Sequence, residues 1–187
     1  RRRHTRCARW SRGLGDVYKR QIQTNPHNLA AVARALGRRM ASIDAANAEA
    51  YQEGLANFLQ RWEPAIAEWE ARAAPLRGAR AITHHKSWVY LERWLGIEEA
   101  ANLEAIPGLP PTATHLSRLT SEFREGGADF IIRSPYQDAR ASEWLSERIG
   151  VAAIVLPLTV GGTDEAEDLF SLFDDIIERL LKARRHD

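Results

Sequence analysis

His84 and His85 are the side chains on which chemistry could turn. Imidazole is the commonest neutral metal ligand, and both rings stand at the C-terminal end of a short stretch, Arg80 to His84, that reads as a strand. Ligands of open α/β sheets sit at such strand ends. Neighbouring strand residues point to opposite faces, so one of the two histidines, not both, is expected to face a given cleft. The bland alternative is that both cap the strand and bond to backbone. Glu104 follows a second expected strand and can serve as a metal ligand, as an orienter of a ligating imidazole, or as a solvated loop acid. Asp164, at the end of Gly161-Gly162-Thr163-Asp164, is a further candidate ligand. That glycine pair lacks the Gly-Lys-Ser/Thr ending and the GxGxxG spacing of phosphate cradles, so a turn with a helix cap is its expected role. Arg133, Tyr136, Gln137 and Asp138 either line the same crevice or form a turn, and turn chemistry is the reading we prefer. No nucleophile elbow, HExxH or paired carboxylate motif is present, which leaves an enzyme reading little to stand on.

The elements that must position these groups follow from periodicity. Asn25-Pro26 opens a helix whose apolar face is Leu29, Val32, Ala33, Leu36 and Met40. From Asp44 to Pro75, apolar residues Tyr51, Leu55, Phe58, Trp62, Ile66, Trp69 and Ala73 recur every three or four positions. This is one stripe along a rod of roughly 40 Å, interrupted by Pro64, where a bend is expected. Strand and helix then alternate. Strands are expected at 80–84, 101–104, 129–133 and 151–156. Helices are expected at 87–95, from Thr112 to about 125, at 141–149, and from a cap at Thr163 or Asp164 to about 183. Alternation of this kind predicts an α/β lobe with a four-stranded parallel sheet covered by helices. The remaining histidines, His27, His115 and His186, are expected at the surface, and the tryptophans of the helices in the core.

The chain has 187 residues, 44% hydrophobic and 27% charged, as globular proteins do. The first 21 residues hold eight of the 26 basic residues and one of the 25 acidic ones, so the rest is acidic, 18 basic against 24. Such a body does not suit nucleic acid. Cys7, in that same tail, is the sole cysteine, which excludes a cysteine-based zinc site or redox pair in the body. The tail has neither period nor an apolar secretory core, and its end, Gly15-Asp16-Val17-Tyr18-Lys19-Arg20-Gln21, resembles translated adaptor sequence. Residues 1–21 are therefore expected to be a foreign or disordered tail, and the native protein to begin further upstream.

The order of elements resembles the metal-binding solute-binding proteins of ABC transporters, the zinc/manganese class with a rigid helical spine. The resemblance rests on Ile22-Gln23-Thr24-Asn25-Pro26, on 47–76, on His85-Lys86-Ser87-Trp88-Val89-Tyr90-Leu91, on Leu103-Glu104 with Pro107-Gly108 and Pro111, and on Leu156-Pro157-Leu158-Thr159-Val160-Gly161-Gly162. It implies two α/β lobes joined by a long helix, with a metal between them. In this chain 22–43 would be a remnant helix of a missing N-terminal lobe, 44–76 the spine helix and 77–187 the C-terminal lobe. The family's histidine ligand falls on His85, with His84 the alternative. A second falls on Gln21, and the late aspartate has no counterpart in Leu156-Pro157-Leu158. The implied function is binding of zinc, or of manganese, and delivery to an ABC transporter permease without turnover, by a monomer at a periplasmic or cell-surface location. The competing readings are a lobe of a metal-dependent hydrolase and a helical interaction module.

Overall fold

A computed structural model describes residues 21–184. Of the expected tail only Gln21 falls among them, and Cys7 and His186 lie outside. A 3-10 turn, Ile22–Thr24, leads into α1 (Pro26–Ile43), and a second, Ala45–Asn47, into α2 (Ala48–Ala73). The lobe follows as β1 (Arg80–Thr83), α3 (Val89–Leu95), β2 (Glu98–Asn102), α4 (Ala113–Phe123), β3 (Phe130–Arg133), α5 (Arg140–Ile149), β4 (Ala152–Val155) and α6 (Leu169–Arg184). Among the described residues no helix is long and apolar enough to cross a membrane.

The four strands pair in parallel in the order β2-β1-β3-β4. Alternation along the strands splits the core in two. Ile82 and Ile131 face Leu116, Leu119 and Leu145 of α4 and α5. Ala81, Phe130 and Ile132 face the other way, toward α2, α3 and α6. The chain leaves β1 toward β2 by α3 on one face, and leaves β3 toward β4 by α5 on the other. The strand order therefore reverses between β1 and β3, and a crevice opens at their C-terminal ends.

The long helix is seated on the lobe by aromatic packing. Trp62, Ile66, Trp69 and Ala73 are buried, and Trp62 meets Phe173 and Phe170 of α6 edge-on with centroids 5.6 and 4.9 Å apart. The Trp69 indole N–H donates to Asp174 at 3.1 Å, and Arg72 pairs with the same carboxylate. The Trp62 indole N–H donates to Pro26 O at 3.0 Å and ties in α1. Above Trp62, Tyr51, Leu55 and Phe58 are only half-buried. The helix runs on through Pro64.

Three boundaries differ from the sequence reading. The second strand is 98–102 rather than 101–104. Glu98 and Glu99 are poor strand formers, but they pair with Arg80 and Ala81 at the sheet edge, where Glu98 reaches water and Glu99 is held by Asn102 and Lys86. Asp44 does not cap the spine directly. Its carboxylate accepts from Asn47 Nδ2 and the Tyr51 hydroxyl, and a 3-10 turn intervenes. The last helix is capped by neither Thr163 nor Asp164. Asp168 Oδ1 accepts from the amides of Phe170 and Ser171 at 2.8 Å, and Ser171 Oγ accepts from the Asp168 amide, a reciprocal cap. Thr163 donates instead to Asp175 at 2.7 Å.

Candidate metal centre

Pairing of β1 persists beyond its last strand residue. The His84 amide donates to Ile132 O at 2.7 Å, and the Glu104 amide donates to His84 O at 3.2 Å. Strand parity therefore holds at His84, which points to the α4/α5 face as Ile82 does. His85, one residue on, opens onto a different cavity. The two adjacent histidines are separated as alternation requires.

His85 Nδ1 lies 2.7 Å from Glu104 Oε2. A carboxylate oxygen only accepts, so the proton sits on Nδ1 and the lone pair of the neutral ring on Nε2. The same Oε2 accepts from the Gly108 amide at 2.7 Å. Gly108 adopts φ +82°, a conformation open to glycine, and this lets the loop turn its amide onto Glu104. Both side chains are largely covered, 19% and 13% exposed. The cavity beside them, about 190 Å³, is lined by Lys86, Asn102 and Pro107 as well. A carboxylate holding one imidazole nitrogen, with the other turned to a metal, is the usual outer-shell arrangement of a histidine ligand.

A polar brace beneath this pair was not read from the sequence. The Thr83 hydroxyl donates to Asn102 Oδ1 at 2.7 Å, Asn102 Nδ2 donates to Glu99 at 3.0 Å, and Lys86 pairs with the same Glu99 oxygen at 3.0 Å. His115, expected at the surface, is half-buried and donates from Nε2 to Asn102 O at 2.8 Å. The Pro107-Gly108 pair was the one sequence signal for the Glu104 loop; the rest is nonlocal. Next to the brace lies Glu92, 7% exposed, whose carboxyl is pushed up to about 7 by burial and then by Glu99.

His84 is 6% exposed and lines a larger cavity of about 670 Å³ with Glu104, Pro111, Leu116, Asp138 and Trp144. Glu104 thus stands in the wall of both cavities. Burial pushes the His84 imidazole down, and Glu104 and Asp138 act against that. Asp138 is drawn down to about 2 by its hydrogen bonds with Arg140. Gln137 and Asp138 reach this cavity, but Tyr136 is 71% exposed, and Ser134 and Gln137 close a turn, the role preferred from sequence. Trp144, expected in the core, is half-buried at the cavity wall, under Arg148 at 3.8 Å. Asp164 is exposed in the loop after β4 and lines neither cavity. Gln21 is half-buried beside the turn that opens α1. Among the described residues no three histidines, cysteines or carboxylates are grouped so as to hold an ion by themselves.

A family model described as ZnuA, zinc-uptake complex component A, periplasmic, matches residues 16–183. Among solved structures the chain is similar to ZnuA, at 22% identity and a TM-score of 0.75, covering 88% of this chain and 61% of that one. It is similar to FpvC of Pseudomonas aeruginosa in complex with Ni2+, at 18% identity and 0.69, covering 89% and 61%. It is also similar to a Cd-bound periplasmic metal-binding protein of Candidatus Liberibacter asiaticus, at 12% and 0.70, covering 87% and 62%. These likenesses show the fold, and the chain spans about three-fifths of the length of each. None of the curated proteins compared with the chain matches it.

Proposed function

The chain belongs to the family of zinc-uptake complex component A, periplasmic, and from that membership we propose that the complete protein binds a divalent metal and delivers it to an ABC permease. It does so without turnover, as a monomer, at a periplasmic or cell-surface location. The observation that carries this reading is the His85–Glu104 pair at the C-terminal ends of β1 and β2. In this role His85 ligates through Nε2, while Glu104 fixes the ring and its tautomer. His84 faces the other cavity and takes no part in the ion's first coordination sphere. The exposed position of Asp164 gives it no such part in this lobe either. The remaining ligands come from the lobe that the longer relatives possess. Imidazole ligands favour zinc over manganese, while the nickel- and cadmium-bound neighbours fit a site that is geometrically permissive.

The test uses the complete protein with its upstream lobe restored. His85→Ala is expected to lower zinc affinity at least a hundredfold, and Glu104→Gln about ten- to a hundredfold, as loss of an outer-shell partner does. His84→Ala should change it by less than about threefold. An equal loss from His84→Ala would move the ligand by one residue. No loss from either histidine would remove the metal from this cleft. Zinc-dependent turnover of ester, phosphate or amide substrates would favour the hydrolase reading.

A further inference from the structure

The two strands that lead to His85 and Glu104 are paired out of simple register. Arg80 and Ala81 stand beside Glu98 and Glu99, but Ile82 and Thr83 stand beside Ala101 and Asn102. Ala100 is thus the extra residue of a bulge, a feature over-represented next to functional sites. The bulge brings Glu99 and Asn102 to one side of the strand, where Asn102 Nδ2 donates to Glu99 Oε1 at 3.0 Å. It also puts Asn102, in place of Ala101, beside Thr83, whose hydroxyl donates to Asn102 Oδ1 at 2.7 Å. The Leu103 amide donates to Thr83 O at 2.8 Å and the Glu104 amide to His84 O at 3.2 Å, so the shifted pairing runs on to His85 and Glu104. By alternation the Thr83–Asn102 pair lies on the same face as the His85–Glu104 pair, one step back along both strands.

These contacts close around His85. Thr83, before it in the chain, is tied to Asn102, and Asn102 is tied to Glu99. Lys86, directly after it, pairs with the same Glu99 oxygen at 3.0 Å. Asn102 is the link, and its chemistry is specific. A carboxylate only accepts, so the amide nitrogen faces Glu99 and the amide oxygen is left for the Thr83 proton. Aspartate has no proton to give Glu99, and leucine serves neither side. The backbone of Asn102 is fixed as well, since His115 Nε2 donates to its carbonyl at 2.8 Å. Asn102 also lines the smaller cavity together with His85 and Glu104. A ligating ring keeps its direction only where the groups that support it are themselves locked.

We propose that Asn102 is a positioning residue of the metal site: it clamps the chain on both sides of His85 to β2 and so holds the ring against Glu104. The role rests on the reading of His85 as a ligand, and the experiment separates the two. In the metal-free 187-residue chain, proton NMR follows the His85 Nδ1 proton, which the hydrogen bond to Glu104 protects from exchange with water. Asn102→Leu and Thr83→Val are expected to speed that exchange at least about tenfold, whereas Thr83→Ser, which keeps the hydroxyl, leaves it slow. In the complete protein Asn102→Leu and Thr83→Val should weaken zinc binding about tenfold, and Thr83→Ser by less than about threefold. A lower melting temperature with exchange unchanged in both Asn102→Leu and Thr83→Val would make Asn102 a structural residue only and overturn the proposal. Unchanged zinc affinity in those two variants, where His85→Ala does lower it, would overturn it equally. No loss from His85→Ala would remove the metal reading instead, and the exchange rate would still decide whether Asn102 holds the ring.

Discussion

At the residue scale, two largely covered acids do different work. Glu104 accepts two hydrogen bonds on one oxygen and so fixes His85. Glu92 has no partner for its Oε1 among the described residues, and neither has Glu99 for its Oε2. The raised position of Glu92, about 7, has a defined consequence for stability. Between the usual carboxylate value and about pH 7 the folded chain holds a proton that the unfolded chain has lost. The stabilisation is therefore complete at low pH and is lost as pH rises through about 7, by at most about 3 kcal/mol. Glu92→Gln keeps the neutral shape without the titration. Urea melts of the two proteins from pH 4 to pH 9 should diverge as pH rises, with Glu92→Gln the more stable above pH 7. Parallel curves would mean that Glu92 ionises without cost, and hence that Lys86 or solvent reaches it.

At the element scale, caps and aromatic anchors decide where helices start and what they hold. Asp168 satisfies two amides of α6, so Asp168→Ala is expected to cost about 1 kcal/mol. Asp164→Ala, at the cap position expected from sequence, should cost less than about 0.5 kcal/mol, because an exposed loop acid anchors nothing. Equal costs by thermal melting would restore the sequence reading. Trp62 joins three helices, since it stacks on Phe58, packs edge-on to Phe173 and donates to Pro26. Trp62→Phe should cost about 1–2 kcal/mol, with the lost hydrogen bond read as faster amide exchange in α1 than in α6. Trp62→Ala should cost about 3–5 kcal/mol and release α1 and α2 from the lobe together.

At the scale of the whole molecule, apolar surface is left open on α1, beside the half-buried upper part of the spine stripe at Tyr51, Leu55 and Phe58. Trp62 and Trp69 are covered by α6, whereas on α1 Val32, Leu36 and Ile43 are 44%, 54% and 66% exposed. If the upstream lobe covers this face, the complete protein should bind less of a hydrophobic dye than this chain does. Val32→Ser with Leu36→Ser should then reduce dye binding by this chain. Equal dye binding by the short and complete proteins would count against the two-lobe reading. The same geometry bears on zinc. One imidazole and one carboxylate make a weak site, and stabilisation by a ligand grows only as the logarithm of its concentration over its dissociation constant. Micromolar zinc is therefore expected to shift the melting temperature of the 187-residue chain by less than about 1 °C, and that of the complete protein by several degrees.

Periodicity and punctuation determined much of this protein. The stripe from Tyr51 to Ala73, the apolar strands around Ile82, Ile131 and Ile154, and the left-handed glycines Gly96 and Gly150 that end α3 and α5 are local signals, and each lies where the sequence puts it. Alternation along a strand was also enough to say that His84 and His85 part company. Tertiary structure alone decided what each of them meets. Glu104 reaches His85 across 19 residues and Lys86 reaches Glu99 across 13, because parallel strands align their C-terminal ends. Trp69 reaches Asp174 across 105, because α2 lies on α6. No pattern in the chain encodes those distances. They follow from the strand order β2-β1-β3-β4, which also sets the larger cavity between β1 and β3 and gives it a buried imidazole for a floor.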